Sequence, residues 1–412
     1  MTILWSVRAP SIAFAALFAG PALALDSFTL ENVKIEGREI MAILPRVEFT
    51  DTNINRDDAA KLFSPLVSLD DRVALIKKLS AARIAIPEAQ ISGKNGGAIA
   101  RGFVAANVDA GKVKRFDFAG LDGTFIIPDA GEGNVKVRPL SAEDADYSGA
   151  IAAMQSGDAR SVTGRLASLT WAGFEAAFPD KLTAKDAPGG NMVHVDLGSV
   201  THVGTYDGDV PLKGSFVMKN LVITPPKASR FSQQLVAFGY DKLDLGFTAA
   251  GVYDPAAKTY ALDDFTLSGA GAGTIGLRGT FLGLEKSAFL GNGSARMTAL
   301  TNGEVASLGI KFVNNGLVDK AIAFYGKMQN RSPDQVKSEI ATIVTAIAPN
   351  FLGGSEASKK IAAAVAKFVA NPASIALAMT ARGAPVRFTD LWGIRDPEAF
   401  LARMDVDAIA NQ

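Results

Sequence analysis

The chain contains no cysteine and only two histidines. Without thiols there is no disulfide framework, no thiolate metal site and no cysteine nucleophile, so the fold must stand on its core alone. Two histidines, His194 and His202, leave little material for an imidazole base or an imidazole metal centre. Neither sign of charge dominates. Lys plus Arg and Asp plus Glu are equal at 42 each, so the whole chain sets up no long-range field toward nucleic acid. Past the first residues no stretch reaches the roughly 18 uninterrupted apolar residues of a membrane-spanning helix. Even the run from Ile361 to Ala370 is broken by Lys367. Tryptophan and tyrosine are scarce, three and six against 24 phenylalanines. A surface platform for sugars or bases is therefore disfavoured, while Phe suits a core or an apolar groove.

Motifs of enzymes are missing as well. There is no G-x-S-x-G elbow, no H-E-x-x-H helix, no Walker loop and no calcium-binding EF-hand loop.

What is present begins with an export signal. Arg8 precedes the apolar run Ile12 to Ala19, which leads through Gly20-Pro21 to the small-residue site Ala22-Leu23-Ala24. Residues 1–24 are expected to be a cleaved signal peptide that sends the protein to the periplasm or outside the cell, with no membrane span left after cleavage. A retained anchor is the alternative.

Residues 25–300 are expected to form a β-rich domain. Gly at 40 of 412 residues exceeds the ~7 % average and suits many turns. Apolar residues alternate at Ile43/Pro45/Val47/Phe49, Ile84/Ile86, Phe116/Phe118, Val135/Val137, Val193/Val195/Leu197 and Leu243/Leu245/Phe247, the period of strands with one wet face. Leu243 to Leu267 predicts a hairpin turning at Asp254-Pro255-Ala256-Ala257-Lys258. Pro45, Pro87, Pro128 and Pro225 follow apolar strand residues, and since Pro cannot donate to a ladder, these strands are expected to bend or to lie at edges. Ser68 predicts a helix cap with Val73, Ile76 and Ser80 on one face, and Ser141 to Met154 a further helix.

Residues 301–412 are expected to be a helical segment with a returning β-hairpin, packed on the sheet. Leu317, Ala321, Tyr325 and Met328 fall on one helical stripe. Ser332-Pro-Asp-Gln335 is a capping box ahead of Val336, Ile340, Ile343, Val344 and Ile347. A third helix starts at Ser355, turns Ile361, Val365 and Phe368 inward and stops at Asn371-Pro372. Strand alternation returns at Ile375/Leu377/Met379 and, after a turn, at Val386/Phe388. The class is α+β, mainly antiparallel, with a long sheet that is either open or half-barrel-like. The helical C-terminal third argues against an outer-membrane barrel.

Three constellations invite a chemical reading. Gly271-Ala-Gly-Thr-Ile-Gly276 fits the G-x-G-x-x-G spacing, yet Leu277-Arg-Gly-Thr-Phe281 is a poor start for the helix a pyrophosphate needs, so glycines at a twisted turn are expected. His194 and His202, with Asp196, Asp207 and Asp209 nearby, could converge on a metal only through a hairpin at Leu197-Gly198-Ser199; in one strand they lie roughly 26 Å apart. Asp263-Asp264 and Glu143-Asp144 are the candidates for a hydrolytic carboxylate pair, and solvated loop or cap roles are the plainer reading. No catalytic, cofactor-binding or metal-binding residue is assigned, and no cofactor is expected.

Bent strands such as Ala42-Ile-Leu-Pro-Arg-Val-Glu-Phe-Thr50 and the glycine-punctuated run Phe265 to Phe281 resemble AsmA-like and YdgA-like (DUF945-type) envelope proteins of Gram-negative bacteria, in style and over about residues 25–300. That resemblance implies a long curved sheet with a hydrophobic inner face and a role in envelope lipid homeostasis or outer-membrane biogenesis. The Ala22-Leu23-Ala24 site departs from it, because AsmA-type proteins usually keep an N-terminal anchor. The expected function is a non-enzymatic envelope protein binding lipid or acyl chains in an apolar trough, with lipid or an envelope protein as partner and no nucleic acid. A structural or interaction protein with a closed core is the alternative, and a carboxylate-pair hydrolase the third. The leader reading predicts that protein exported from a Gram-negative host has an intact mass beginning at Leu25; a mass that includes Met1 contradicts it.

Overall fold

The computed structural model describes residues 25–37, 39–149, 151, 164–290, 293–392 and 397–412; the expected leader lies outside them. About half the chain is strand and a quarter helix, and every pairing among the described residues is antiparallel, so the α+β, mainly β class holds. Two compact units emerge: Met1–Ala187 with Asn191–Val203, and Pro188–Gly190 with Gly204–Gln412.

In the first unit β1 (Asp26–Glu36), β2 (Ile40–Thr52), β3 (Ser80–Gly93) and β4 (Gly96–Asp109) pair in succession. Strands β5 (Lys112–Phe118) and β6 (Gly120–Ile127) then lie end to end along β4. The next row joins β7 (Gly131–Val137) and β8 (Leu140–Asp146), and the row after it β9 (Arg165–Trp171) and β10 (Phe174–Pro179). β11 (Met192–Asp207) pairs with both β9 and β10.

One transverse line crosses all these rows, and there the apolar pattern steps by three residues instead of two. Residues three apart in a regular strand face opposite sides. Yet Leu30 and Val33, Leu44 and Val47, and Ile86 and Ala89 all pack in one cluster, and the rings of Trp171 and Phe174 stack at 5.8 Å. The same step recurs in register at Ala100/Phe103, Phe118/Leu121, Val137/Leu140 and Leu197/Val200, where Ala100 pairs with Leu121, Leu121 with Val137 and Val137 with Phe174, while Phe118 pairs with Leu140, Leu140 with Trp171 and Trp171 with Val200.

The two residues inside each step explain how the backbone manages it. They are Glu31-Asn32, Pro45-Arg46, Pro87-Glu88, Arg101-Gly102, Ala119-Gly120, Arg138-Pro139, Ala172-Gly173 and Gly198-Ser199. Asn32, Gly102, Gly120 and Gly173 have φ of 52°, 64°, 142° and 87°, which Gly adopts freely and Asn tolerates. Proline has no N–H to leave unpaired where the ladder breaks. The bends expected at Pro45 and Pro87 are this step, whereas Pro128 and Pro225 lie just past the ends of β6 and β12 (Val210–Thr224). Arg138 ties the break together: Nη1 donates to the carbonyls of Leu197 at 3.0 Å and Ala172 at 3.4 Å, and Nη2 to Glu175 at 2.6 Å and Asp196 at 2.5 Å.

Helices α1 (Arg56–Lys61) and α2 (Leu69–Ile76) interrupt the sheet between β2 and β3. Asn55 and Ser68 cap them through side-chain oxygens, as expected for Ser68. Their Ala59, Val73 and Ile76 enter the cluster above the step. The helix expected over Ser141–Met154 is in part a correction: residues through Asp146 form β8, while Ser148, Gly149 and Ile151 are helical among the described residues. Pairing with β5 and β9 overrides local propensity, and Glu143 and Asp144 reach Arg115 and Lys114 on the wet face. Residues 152–163 lie outside the described residues.

The second unit continues as a meander of β12, β13 (Leu243–Asp254), β14 (Thr259–Gly269), β15 (Gly273–Leu282), β16 (Glu304–Asn314), β17 (Ser374–Ala381) and, beside β17, β19 (Met404–Ala410). β18 (Val386–Arg387) pairs only with the start of β16. The expected hairpin is β13–β14, whose turn is held by Asp254 accepting from the N–H groups of Ala256 and Ala257. Its helices are α3 (Arg230–Ala237), α4 (Gly293–Thr301), α5 (Leu317–Gln329), α6 (Pro333–Phe351), α7 (Glu356–Ala370), α8 (Phe388–Trp392) and α9 (Pro397–Ala402). The Ser332 capping box and the Ser355 cap form as expected.

Three differences from the sequence reading stand out here. α5 buries Ile322 and Gly326 rather than the Leu317/Tyr325/Met328 stripe. α6 buries only Val336 of its apolar stripe. Strand β19 was not foreseen, although Met404, Val406, Ala408 and Ala410 alternate.

The step makes a direct prediction. A Cβ on Gly173 would sit 1.7 Å from the Leu197 carbonyl oxygen, whereas one on Gly190, at φ 75°, meets nothing within 4 Å. Gly190→Ala is expected to cost about 1 kcal/mol for its backbone alone, and Gly173→Ala more than about 3 kcal/mol because strain and overlap add. Denaturant titration of both variants checks the difference; equal costs would contradict the account of the step.

Candidate functional site: an apolar face left open

Register assigns each side chain of the second unit to a face. On one face lie Phe216, Met218 and Leu221 of β12, Leu245 and Phe247 of β13, Phe265 and Leu267 of β14, Ile275 and Leu277 of β15, Ile310 and Phe312 of β16, and Ile375 and Leu377 of β17. The chain places apolar residues at every second position because this face is kept from water wherever it is covered. Phe216, Phe247 and Phe265 form a ladder across three strands, with ring centroids 5.8 and 5.1 Å apart.

Cover exists only at the margins. α7 lies over β17 and β19, where Phe368 meets Phe312 edge-on at 5.9 Å and packs with Ile375 and Ala410. Toward the other end of the strands, Tyr253, Tyr260 and Phe281 pack with Leu284, Ala288, Phe289 and Ala299. Tyr253 donates its hydroxyl to the Leu284 carbonyl at 2.8 Å, and burial raises the pKa of both tyrosines above the usual phenol value. Between these margins no side chain of the ladder is fully buried. Leu267 is 44 % exposed and Ile275 39 %.

The opposite face of the same sheet is polar and built on small residues. A cavity of about 440 Å³ is lined there by Asp264, Thr266, Arg278, Lys311 and Asp407 over Gly276, Gly309, Ala376 and Ala378. The hydroxyls of Thr248 and Thr266 donate to Asp264, the latter at 2.6 Å, and these bonds hold its carboxyl below the usual carboxylate range.

The first unit repeats the arrangement among its own strands. Above the step, the turn after α1 and helix α2 roof the apolar face with Leu62, Phe63, Val73 and Ile76. Below it, Leu121, Phe125, Val135, Val137, Phe174 and Phe178 share a face and are only half-buried, and they belong to no buried cluster among the described residues.

The residues that sequence reasoning weighed for chemistry stay apart. His194 pairs with Ala177 and His202 with Leu169 in the single strand β11, so the hairpin that would have joined them does not form. Among the described residues no group of three or more His, Asp and Glu could hold a metal ion. Gly271-Ala-Gly-Thr-Ile-Gly276 is the β14–β15 turn and leads into a strand, as expected. Glu143 and Asp144 are paired to cations, and Asp264 to threonines. The apolar ladder was within reach of the sequence, because Leu243/Leu245/Phe247 and Phe265/Leu267 alternate on the two arms of one hairpin; its lack of cover was not, because cover depends on where α4 to α7 settle.

Residues 266–411 are similar to a protein family described as an uncharacterized protein. None of the curated proteins compared with the chain matches it.

An open face predicts small costs for truncation. Leu267→Ala is expected to lower stability by less than about 1.5 kcal/mol, against roughly 2–5 kcal/mol for Leu44→Ala in the closed cluster, where Leu44 is 2 % exposed. Urea unfolding of the two variants measures the contrast, and a Leu267→Ala cost in the range of Leu44→Ala would mean that the face is closed.

Proposed function

We propose that the protein is a non-enzymatic periplasmic envelope protein that holds acyl chains against the open apolar face of its second unit. The single observation that carries this reading is the ladder of half-buried Phe216, Phe247 and Phe265 that leads to exposed Leu267. A soluble domain rarely leaves so contiguous an apolar patch bare without a ligand or partner. At about 4.8 Å per strand, the face from β12 to β16 is roughly 19 Å across, a span suited to an extended chain. Each methylene withdrawn from water contributes about 0.8 kcal/mol, so ten give about 8 kcal/mol before the losses of ordering. The face has aromatic and aliphatic side chains and no charge, which favours hydrocarbon over any polar substrate.

The export signal supports a periplasmic location, and the AsmA-like and YdgA-like texture agrees with a sheet that keeps one apolar face for lipid. Among the described residues no helix is long and apolar enough to cross a membrane.

Organic extracts of the purified, exported protein provide the test by mass spectrometry. Stoichiometric phospholipid or fatty acid is expected from the wild type, and at least a tenfold loss of it from Phe247→Asp. A wild type that carries no lipid would contradict the proposal.

A further inference from the structure

The polar face of the second unit's sheet holds two glycines that its own backbone does not require. Gly276 of β15 pairs regularly with Thr266 and Lys311, and Gly309 of β16 with Arg278 and Ala378; neither has a positive φ. A Cβ on Gly276 would come no nearer than 3.7 Å to Thr266 Oγ1, and one on Gly309 no nearer than 4.0 Å to the Arg278 carbonyl oxygen. Two other glycines of β15 differ. A Cβ on Gly273 or Gly279 would lie 2.6 or 2.8 Å from the carbonyl oxygen of Val313 or Ser307. Glycine inside a strand weakens it. With crowding, bulge and dihedral set aside, close approach of a molecule from outside is the reason that remains for Gly276 and Gly309. Both lie on the floor of the 440 Å³ cavity.

The side chains around that floor are donors without partners. Along β15, Gly276 stands between Thr274 and Arg278, and it faces Lys311 across the ladder. Residues two apart share a face, so Thr274, Arg278 and Lys311 ring the space over Gly276, and all three line the cavity. None of these side chains makes a hydrogen bond or ion pair among the described residues. Arg278 attracts Asp264 only through space. Diagonal neighbours on adjacent strands, as Arg278 and Lys311 are, lie about 7–8 Å apart, within reach of long side chains. An anion between them turns one repulsion into two attractions.

The carboxylates of the cavity leave that spot to an anion. Asp264 already accepts from Thr248 and Thr266. Asp407 stands on β19, two strands from Lys311 and three from Arg278, roughly 10 and 14 Å away at about 4.8 Å per strand. An arginine fork, a lysine ammonium and a threonine hydroxyl together suit a phosphate, which offers three strong acceptor oxygens where a carboxylate has two. A water molecule takes about 30 Å³, so a five-atom phosphate leaves room in 440 Å³ for the organic part of an ester.

We propose that this cavity binds a phosphate ester, with the phosphate seated over Gly276 on Arg278, Lys311 and Thr274. The apolar ladder lies on the other side of the sheet, so the site stands or falls independently of the acyl-chain reading.

Isothermal titration of the full chain with glycerol 3-phosphate tests it. The wild type is expected to bind one molecule per chain. Gly276→Val places a good strand former in the open space, and it should weaken binding at least tenfold without lowering the melting temperature. Lys311→Met changes only an exposed side chain, should weaken binding likewise, and decides the question even if Gly276→Val unfolds. A wild type that binds no glycerol 3-phosphate overturns the proposal, as does binding that Lys311→Met retains in full. A short-chain phosphatidylglycerol, titrated below its micellar concentration, separates two sources of the phosphate. Affinity at least tenfold above that of glycerol 3-phosphate, lost in the same variants, supports a lipid headgroup, and equal affinity supports a soluble ester.

Discussion

A β-strand can serve a single apolar face only if its side chains keep strict alternation, and the first unit depends on how it breaks that rule. Across one line each row shifts its apolar positions by three residues instead of two, which would send half of every strand's apolar side chains to the wrong side of a regular sheet. The backbone absorbs the shift with glycine and asparagine at positive φ and with proline where a donor has to disappear. Because neighbouring rows shift in register, the apolar face continues across the line, and Trp171 stacks on Phe174 instead of pointing away from it. A shift in one strand alone would leave a bulge; a shift in all of them keeps one face.

The residues inside the step explain why polar and charged side chains gather there. The two positions freed from the apolar face hold Glu31, Arg46, Glu88, Arg101 and Arg138, and Glu31 lies opposite Arg46 as Glu88 does opposite Arg101. Arg138 spends its donors on two carbonyls that the interrupted ladder leaves over, and on two carboxylates. Exposed ion pairs contribute little by themselves. Satisfying backbone acceptors at a break in the ladder matters more, since buried unpaired carbonyls are costly.

Much of this architecture was legible in the sequence, and the parts that were not have identifiable causes. Period-two runs at Leu243/Leu245/Phe247 and Ile375/Leu377/Met379 give strands, and Ser332-Pro-Asp-Gln335 gives a helix start, because those signals are local. Pro45 and Pro87 signalled bends, but not that the bends align, since alignment is a property of register between distant strands. Glu143 and Asp144 read as helix and became strand because the ladder pairing with β5 and β9 comes from elsewhere in the chain. The Tyr325/Met328 stripe looked like the buried face of α5, yet Ile322 and Gly326 are buried, a choice made by the neighbouring α6. The candidate site divides in the same way: its apolar ladder is written in alternation, while its exposure depends on helices that settle over the margins and leave the middle bare.

Both units therefore use the same principle, a sheet with one apolar face roofed over part of its extent. The roof supplies the stability of a closed core, and the remainder of each face is only half-buried. A crystal structure of the protein purified without delipidation measures this most directly. The account predicts elongated density lying across Phe247 and Leu267 that belongs to no residue of the chain. A helix or loop of the same chain seated over that ladder would contradict it.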